Sequence, residues 1–171
     1  MIIIEDTRQK ADKHKLKNDS FLSMGDKVVR SKLPLGDYAL LPRVFIDTKE
    51  DVLEIAYNMC GNMKEKKRFA AECKLAKECG VRFVVLIEDG RYQKPTDLIG
   101  ETFRLHNSLY VKGKQLATAM CVMSERYGVE FKFCDKKDTA YIIREMLQDG
   151  EKRLGDFLPG TDTDMPETPD K

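Results

Sequence analysis

The residues of this sequence best suited to chemistry are Asp37, Asp47 and Lys49. They lie in Gly36-Asp37-Tyr38-Ala39-Leu40-Leu41-Pro42-Arg43-Val44-Phe45-Ile46-Asp47-Thr48-Lys49, which reads as two short strands joined by a turn at Pro42-Arg43. Side chains alternate along a strand, so Val44 and Ile46 point one way while Phe45, Asp47 and Lys49 point the other. If the turn uses residues 41 to 43, residue 40 pairs with 44 and Asp37 stands opposite Asp47, with Cβ atoms ~5 Å apart. A two-residue turn would shift the register by one and send Asp37 to the other face. Two carboxylates that close repel unless a cation sits between them. Mg²⁺ is the natural candidate, because it commonly takes one or two protein carboxylates and completes its shell with phosphate and water. Lys49 would then orient or activate water, or offset charge developing on a phosphate. On spacing alone, an exposed hairpin with a solvated ion pair fits better, since 35% of the chain is charged.

The neighbouring residues shift that balance. Asp-(about ten)-Asp-x-Lys is the arrangement of a PD-(D/E)XK nuclease core. Gly36-Asp37-Tyr38 followed by Ile46-Asp47-Thr48-Lys49 resembles the Gly-Asp…Glu-Arg-Lys motif of the XPF-type structure-specific endonucleases. The resemblance continues in order along the chain. Ile2-Ile3-Ile4-Glu5-Asp6-Thr7-Arg8-Gln9 is similar to the family's opening strand and Asp-x-Arg-Glu signature. Arg68-Phe69-Ala70-Ala71-Glu72 resembles the helix after the motif. Val84-Val85-Leu86-Ile87-Glu88 and Gly128-Val129-Glu130-Phe131-Lys132-Phe133-Cys134 resemble later strands. The similarity covers roughly residues 2 to 148. The chain departs from the pattern where Asp47 replaces Glu, Thr48 replaces Arg and Gln9 replaces an acid. Leu53 stands where the family has Asp, flanked by Asp51 and Glu54.

The resemblance implies an α/β fold, with a central mixed sheet flanked by helices in one domain, residues 1 to 149. It implies a Mg²⁺- or Mn²⁺-dependent endonuclease acting on DNA, at branched, flapped or junction structures or on duplex. Asp37 and Asp47 would hold the metal, joined by the Thr48 backbone carbonyl. Asp6 would be a further ligand or would orient one. Arg8 and Arg68 would hold phosphates, with Glu72 supporting them. XPF-type nucleases commonly pair, so a homodimer or heterodimer is a further expectation. A non-catalytic DNA-binding subunit that keeps the nuclease fold is the alternative. An α/β protein with a small phosphate ligand is a third reading, but no Gly-x-x-x-x-Gly-Lys loop supports it.

With 171 residues and 42% hydrophobic content, the chain is long enough for one substantial core. No apolar run is long enough for a transmembrane helix. Ile2-Ile3-Ile4 is followed at once by Glu5-Asp6, unlike a signal peptide. Five cysteines without a Cys-x-x-Cys suggest neither disulfides nor a zinc ribbon, so an intracellular, reducing setting is expected. Cys60, Cys73, Cys121 and Cys134 sit among apolar residues and should pack as small hydrophobes.

The net charge of +1 is unevenly spread. Residues 151 to 171 carry six acidic and three basic residues, and residues 150 to 171 read as an acidic, disordered tail. Residues 58 to 82 carry seven basic and three acidic residues, including Lys67, Arg68 and Lys74. Such a basic run beside a carboxylate site suits a phosphate backbone. A solvated helix face would look the same.

Periodicity supplies the elements. Residues 2 to 5 read as a buried strand and 27 to 33 as another, with Val28 and Val29 inside. The most apolar run, Phe83 to Ile87, should be a central strand covered on both faces. Val129 to Cys134 alternates as a half-exposed strand does. Helices are expected over 15 to 24 (Leu16, Phe21, Leu22 and Met24 inward), 51 to 59 and 64 to 79. Two more are expected over 113 to 127 (Leu116, Ala117, Met120, Val122 and Met123 inward) and 139 to 147. His14 sits among lysines and reads as exposed, within reach of phosphate. Residues 89 to 112 read as irregular. They interleave Arg91, Lys94, Arg104 and Lys112 with Tyr92, His106 and Tyr110, a mixture suited to phosphate pairing and base stacking.

Overall fold

The computed structural model describes residues 2–8, 10, 12–40, 44–105 and 109–155, the side chains of 150–155 excepted. Gln9, the 41–43 turn, His106 and residues 156–171 lie outside the described residues. The strands are β1 (Ile2–Asp6), β2 (Lys27–Ser31), β3 (Tyr38–Leu40), β4 (Val44–Lys49), β5 (Arg82–Ile87), β6 (Thr102–Arg104), β7 (Tyr110–Lys112) and β8 (Glu130–Phe133). The helices are α1 (Lys15–Ser23), α2 (Val52–Cys60), α3 (Met63–Glu78), α4 (Gly113–Tyr127) and α5 (Thr139–Gly155), with a 3₁₀ turn at Pro95–Leu98.

Six strands form one mixed sheet in the order β2-β1-β3-β4-β5-β8. β3 runs antiparallel to both β1 and β4, while β1–β2, β4–β5 and β5–β8 are parallel. The alternation of β4 and β5 divides the interior. Phe45, Phe83, Val85 and Ile87 pack against Val52, Ile55, Phe69, Cys73, Leu116 and Met120 of α2, α3 and α4. Val44, Ile46, Val84 and Leu86 pack on the other face against Phe21 of α1 and Ile143 and Leu147 of α5. The expected α/β architecture is therefore what the chain forms, with β5 buried on both faces.

The helices that flank the site begin at strong caps. The Asp51 carboxylate accepts from the Glu54 amide at 2.9 Å to start α2, and the Asn62 side chain accepts from the Glu65 amide at 3.0 Å to start α3. Each such cap stabilises a helix by about 1 kcal/mol.

Several expectations need correcting. Leu16 and Leu22 of α1 are exposed, because a nine-residue helix at the sheet margin buries only Phe21. Val29 is exposed because β2 is an edge strand. Val122 and Cys121 face outward on α4. Residues 89 to 112 are more regular than expected: Pro95–Leu98 turns, and β6 and β7 form an antiparallel ribbon whose Phe103 and Val111 join the core. α5 runs to Gly155, past the expected helix end at 147.

Candidate active site

The backbone frame comes first. β3 and β4 pair as Leu40 with Val44, Ala39 with Phe45 and Tyr38 with Ile46. This is the register expected for a three-residue turn, and Asp37 follows directly after its last pair. Gly36 precedes Asp37 with φ of +70°, and a Cβ there would lie 3.0 Å from the Ile46 carbonyl oxygen. Only glycine takes that backbone without strain and allows so close an approach. The Asp37 amide then donates to the Ile46 carbonyl at 2.9 Å, and the Asp6 amide donates to the Asp37 carbonyl at 2.8 Å. Asp37 is thus fixed between the ends of β1 and β4.

The side chains close around this frame. The Thr48 amide and hydroxyl both donate to Asp37 Oδ2, at 3.1 and 2.7 Å. Where the resembled motif carries an arginine, this chain anchors its own carboxylate. Lys49 Nζ lies 2.8 Å from Asp47 Oδ2 and 3.8 Å from Glu54 Oε1. Asp47 and Lys49 are 7% and 4% exposed, so their charges interact with little solvent screening. Burial pushes the Asp47 carboxyl up to about 6; Lys49 opposes that rise and Asp37 adds to it. Burial works against the Lys49 charge, but Asp47 and Glu54 outweigh it and hold its pKa above the ordinary value.

A cleft of about 190 Å³ opens over these groups, lined by Asp6, Arg8, Gly36, Asp37, Asp47, Arg68 and Glu72. Asp6 receives Arg8 and the Leu33 amide, the latter at 3.2 Å. Arg68 bridges Glu65 and Glu72 at 3.0 Å each. A larger groove of about 560 Å³ lies between β8 and α5, but its acids, Glu145 and Asp149, are exposed. The buried carboxylates suited to chemistry are therefore in the smaller cleft.

The donor set suits a hard divalent cation of the Mg²⁺ or Mn²⁺ kind. Asp37 and Asp47 are two buried carboxylates whose joint ionisation is costly without a counter-charge. The Lys49 carbonyl accepts from the Glu88 amide on the β5 side, at 2.9 Å. Strand alternation therefore turns the Thr48 carbonyl toward the β3 side, where Asp37 lies. Among the described residues, no three His, Cys, Asp or Glu side chains converge on a common point. The arrangement fits a cation that keeps much of its shell for water and phosphate, and not a closed structural site.

Outside the cleft, the sequence-derived candidates fare differently. His14 is buried, so phosphate has no access to it. It stacks on Tyr38 at 5.3 Å, with Nδ1 3.4 Å from Glu5 Oε1 and Nε2 4.0 Å from Asp37 Oδ2. Burial holds its pKa below the ordinary value although Asp37 pulls the other way. Lys67 is exposed on α3, while Lys74 faces Glu78 at 3.5 Å. Arg91 pairs with Asp89 at 2.7 Å and lies over the Tyr92 ring, outside the cleft. Arg104 is exposed on the β6–β7 ribbon. Sequence reasoning missed the cluster behind the sheet, where Arg30 meets Glu5 at 3.0 Å and Lys17 meets Glu88 at 2.7 Å. Acids at the C-terminal ends of two apolar strands were the available signal.

With the geometry in hand, comparison with solved structures defines the class: the fold is that of the XPF-type nucleases. The particular neighbours are XPF from Aeropyrum pernix (TM-score 0.64, 19% identity, 91% of this chain and 68% of that one) and the same protein in complex with DNA (TM-score 0.64, 19% identity, 89% and 66%). No family model matches the sequence, and no curated protein matches it. Among the described residues, no helix is long and apolar enough to cross a membrane.

Proposed function

We propose that this chain is a Mg²⁺- or Mn²⁺-dependent endonuclease that hydrolyses phosphodiester bonds in DNA, at branched, flapped or junction structures. The observation that carries the proposal is the pair of buried carboxylates Asp37 and Asp47 in a cleft that Arg8 and Arg68 also line, with Lys49 buried beside Asp47. Asp37 and Asp47 would hold the cation, with the Thr48 carbonyl beside them. The cation, when bound, supplies Lewis acidity toward the scissile phosphate and activation of water. Lys49, held by Asp47 and Glu54, stays protonated and offsets charge that develops on the phosphate. Thr48 fixes the Asp37 carboxylate through two hydrogen bonds to one of its oxygens. Arg8 and Arg68 can engage phosphate by exchanging Asp6, Glu65 and Glu72 for it. The partner the reading requires is DNA; pairing with a second subunit belongs to the same proposal.

A second reading keeps the fold and the DNA but not the cleavage. It is favoured by the neutralised arginines and by Thr48 in place of a cation. Cleavage of labelled duplex, single strand, 3′ flap, fork and four-way junction, with Mg²⁺ or Mn²⁺ against EDTA, separates the two. Metal-dependent cutting that Asp47→Ala abolishes supports the endonuclease. Binding of these DNAs without cutting by either metal, at concentrations that drive pairing, supports the non-catalytic subunit.

A further inference from the structure

The β6–β7 ribbon has two unlike faces. Phe103 and Val111 are a cross-strand pair and both are buried. The outer face is made by the other two pairs, Thr102 with Lys112 and Arg104 with Tyr110, and all four residues are exposed. Cross-strand neighbours have Cβ atoms ~5 Å apart and diagonal ones ~7–8 Å. Arg104 is therefore the direct cross-strand neighbour of Tyr110, with Lys112 one diagonal step from Arg104 on the same face. Tyr110 keeps 60% of its surface in solvent.

Arg104 differs from the other arginines among the described residues. Arg8, Arg30, Arg68, Arg82, Arg91 and Arg144 each face a carboxylate, and Arg126 lies over the Tyr127 ring. Neither Arg104 nor Lys112 has a carboxylate partner among the described residues. An exposed aromatic ring with two cations that have no carboxylate partner among the described residues, on a core-anchored ribbon, matches what an unpaired nucleic-acid strand needs: a surface for one base and charges for the phosphates beside it.

We propose that the outer face of this ribbon is a binding site for an unpaired DNA strand. Tyr110 stacks on a base, Arg104 and Lys112 take the adjacent phosphates, and the Thr102 hydroxyl supplies a hydrogen bond. A duplex keeps its bases stacked on one another and offers Tyr110 no free base face, so the site discriminates for a flap or single-stranded arm. The choice of DNA as the polymer rests on the nuclease reading above; the binding step itself needs neither metal nor cleavage.

Fluorescence anisotropy in EDTA with the full chain tests this, using labelled oligo-dT, a blunt duplex and a duplex with a single-stranded overhang. Tyr110→Ala should weaken oligo-dT and overhang binding about tenfold and blunt-duplex binding less than twofold, while Tyr110→Phe keeps most of the affinity. Arg104→Ala should lower the salt dependence of oligo-dT binding by about one unit of slope. Equal losses on duplex and single strand overturn the proposal, as does unchanged oligo-dT binding by Tyr110→Ala. If wild type binds none of the DNAs, the DNA reading of the whole chain falls with it. If it binds oligo-dT through Tyr110 but never cuts with Mg²⁺ or Mn²⁺, the endonuclease falls and the ribbon site stands.

Discussion

Glu5 and Asp6 are neighbours on β1, yet they lead to two different collections of charge on opposite sides of one sheet. Asp6 turns into the cleft with Asp37, Asp47, Arg68 and Glu72. Glu5 turns the other way and meets Arg30 and His14, while Glu88 near it meets Lys17. Both sides hold buried carboxylates and both hold cations. Behind the sheet each acid is matched and enclosed by α1. In the cleft the charge of Asp37 raises the Asp47 pKa, Lys49 is buried against Asp47, and the space above is open. Buried charge by itself therefore does not mark a site; like charges left facing an opening do. The rear cluster is the structural kind of ion pair, whose worth lies mainly in the cost of breaking it.

That contrast can be broken in order of effect. Asp47→Ala should lower metal-dependent cleavage by about a thousandfold while the chain stays folded, measured on the preferred DNA beside circular dichroism. Glu5→Ala should do the reverse. It removes a buried carboxylate from beside Arg30 and His14 and should lower stability by about 2 kcal/mol in urea unfolding, with cleavage per folded molecule within about threefold of wild type. The raised Asp47 pKa gives a pH effect of intermediate size. Between the ordinary carboxylate value and about 6, the folded chain binds more protons than the unfolded one, so metal-free stability falls as pH rises through that window. Asp47→Asn should remove a slope on the order of 2 kcal/mol across that window, read from melts in EDTA at pH 4.5 and 7. Thr48→Val is the mildest change. It deletes the hydroxyl bond to Asp37 but keeps the amide bond, and should cost about 1 kcal/mol, seen as a severalfold slower cleavage.

Much of this was legible in the sequence where a simple period governs. The alternation of Val44 to Lys49 and the apolar run Phe83 to Ile87 announce strands, whereas the sequence leaves two turn registers open and the β3–β4 pairing decides between them. What one sequence does not carry is which long-range neighbour covers a residue. His14 looks like part of a solvated lysine run, but Tyr38 and Glu5 enclose it. Leu16 and Leu22 look like a helix interior, but α1 is short and has only one neighbour-facing stripe. Thr48 reads as a missing arginine until its hydroxyl is seen on Asp37. The β6–β7 ribbon was obscured because its strands are three residues each, too short for a periodic signal.

The order of strands has a consequence for synthesis of the chain. Asp6, Asp37, Asp47, Arg68 and Glu72 all precede β5, yet β4 pairs along its whole length with β5, from Val44 opposite Arg82 to Lys49 opposite Ile87. Until β5 has left the ribosome, the strand that carries Asp47 and Lys49 has an open edge and no wall beside it. Assembly of the cleft is thus deferred: every acidic group that lines it is translated well before the segment that completes the sheet, and a chain that stalls short of Ile87 carries the residues of the cleft without the cleft.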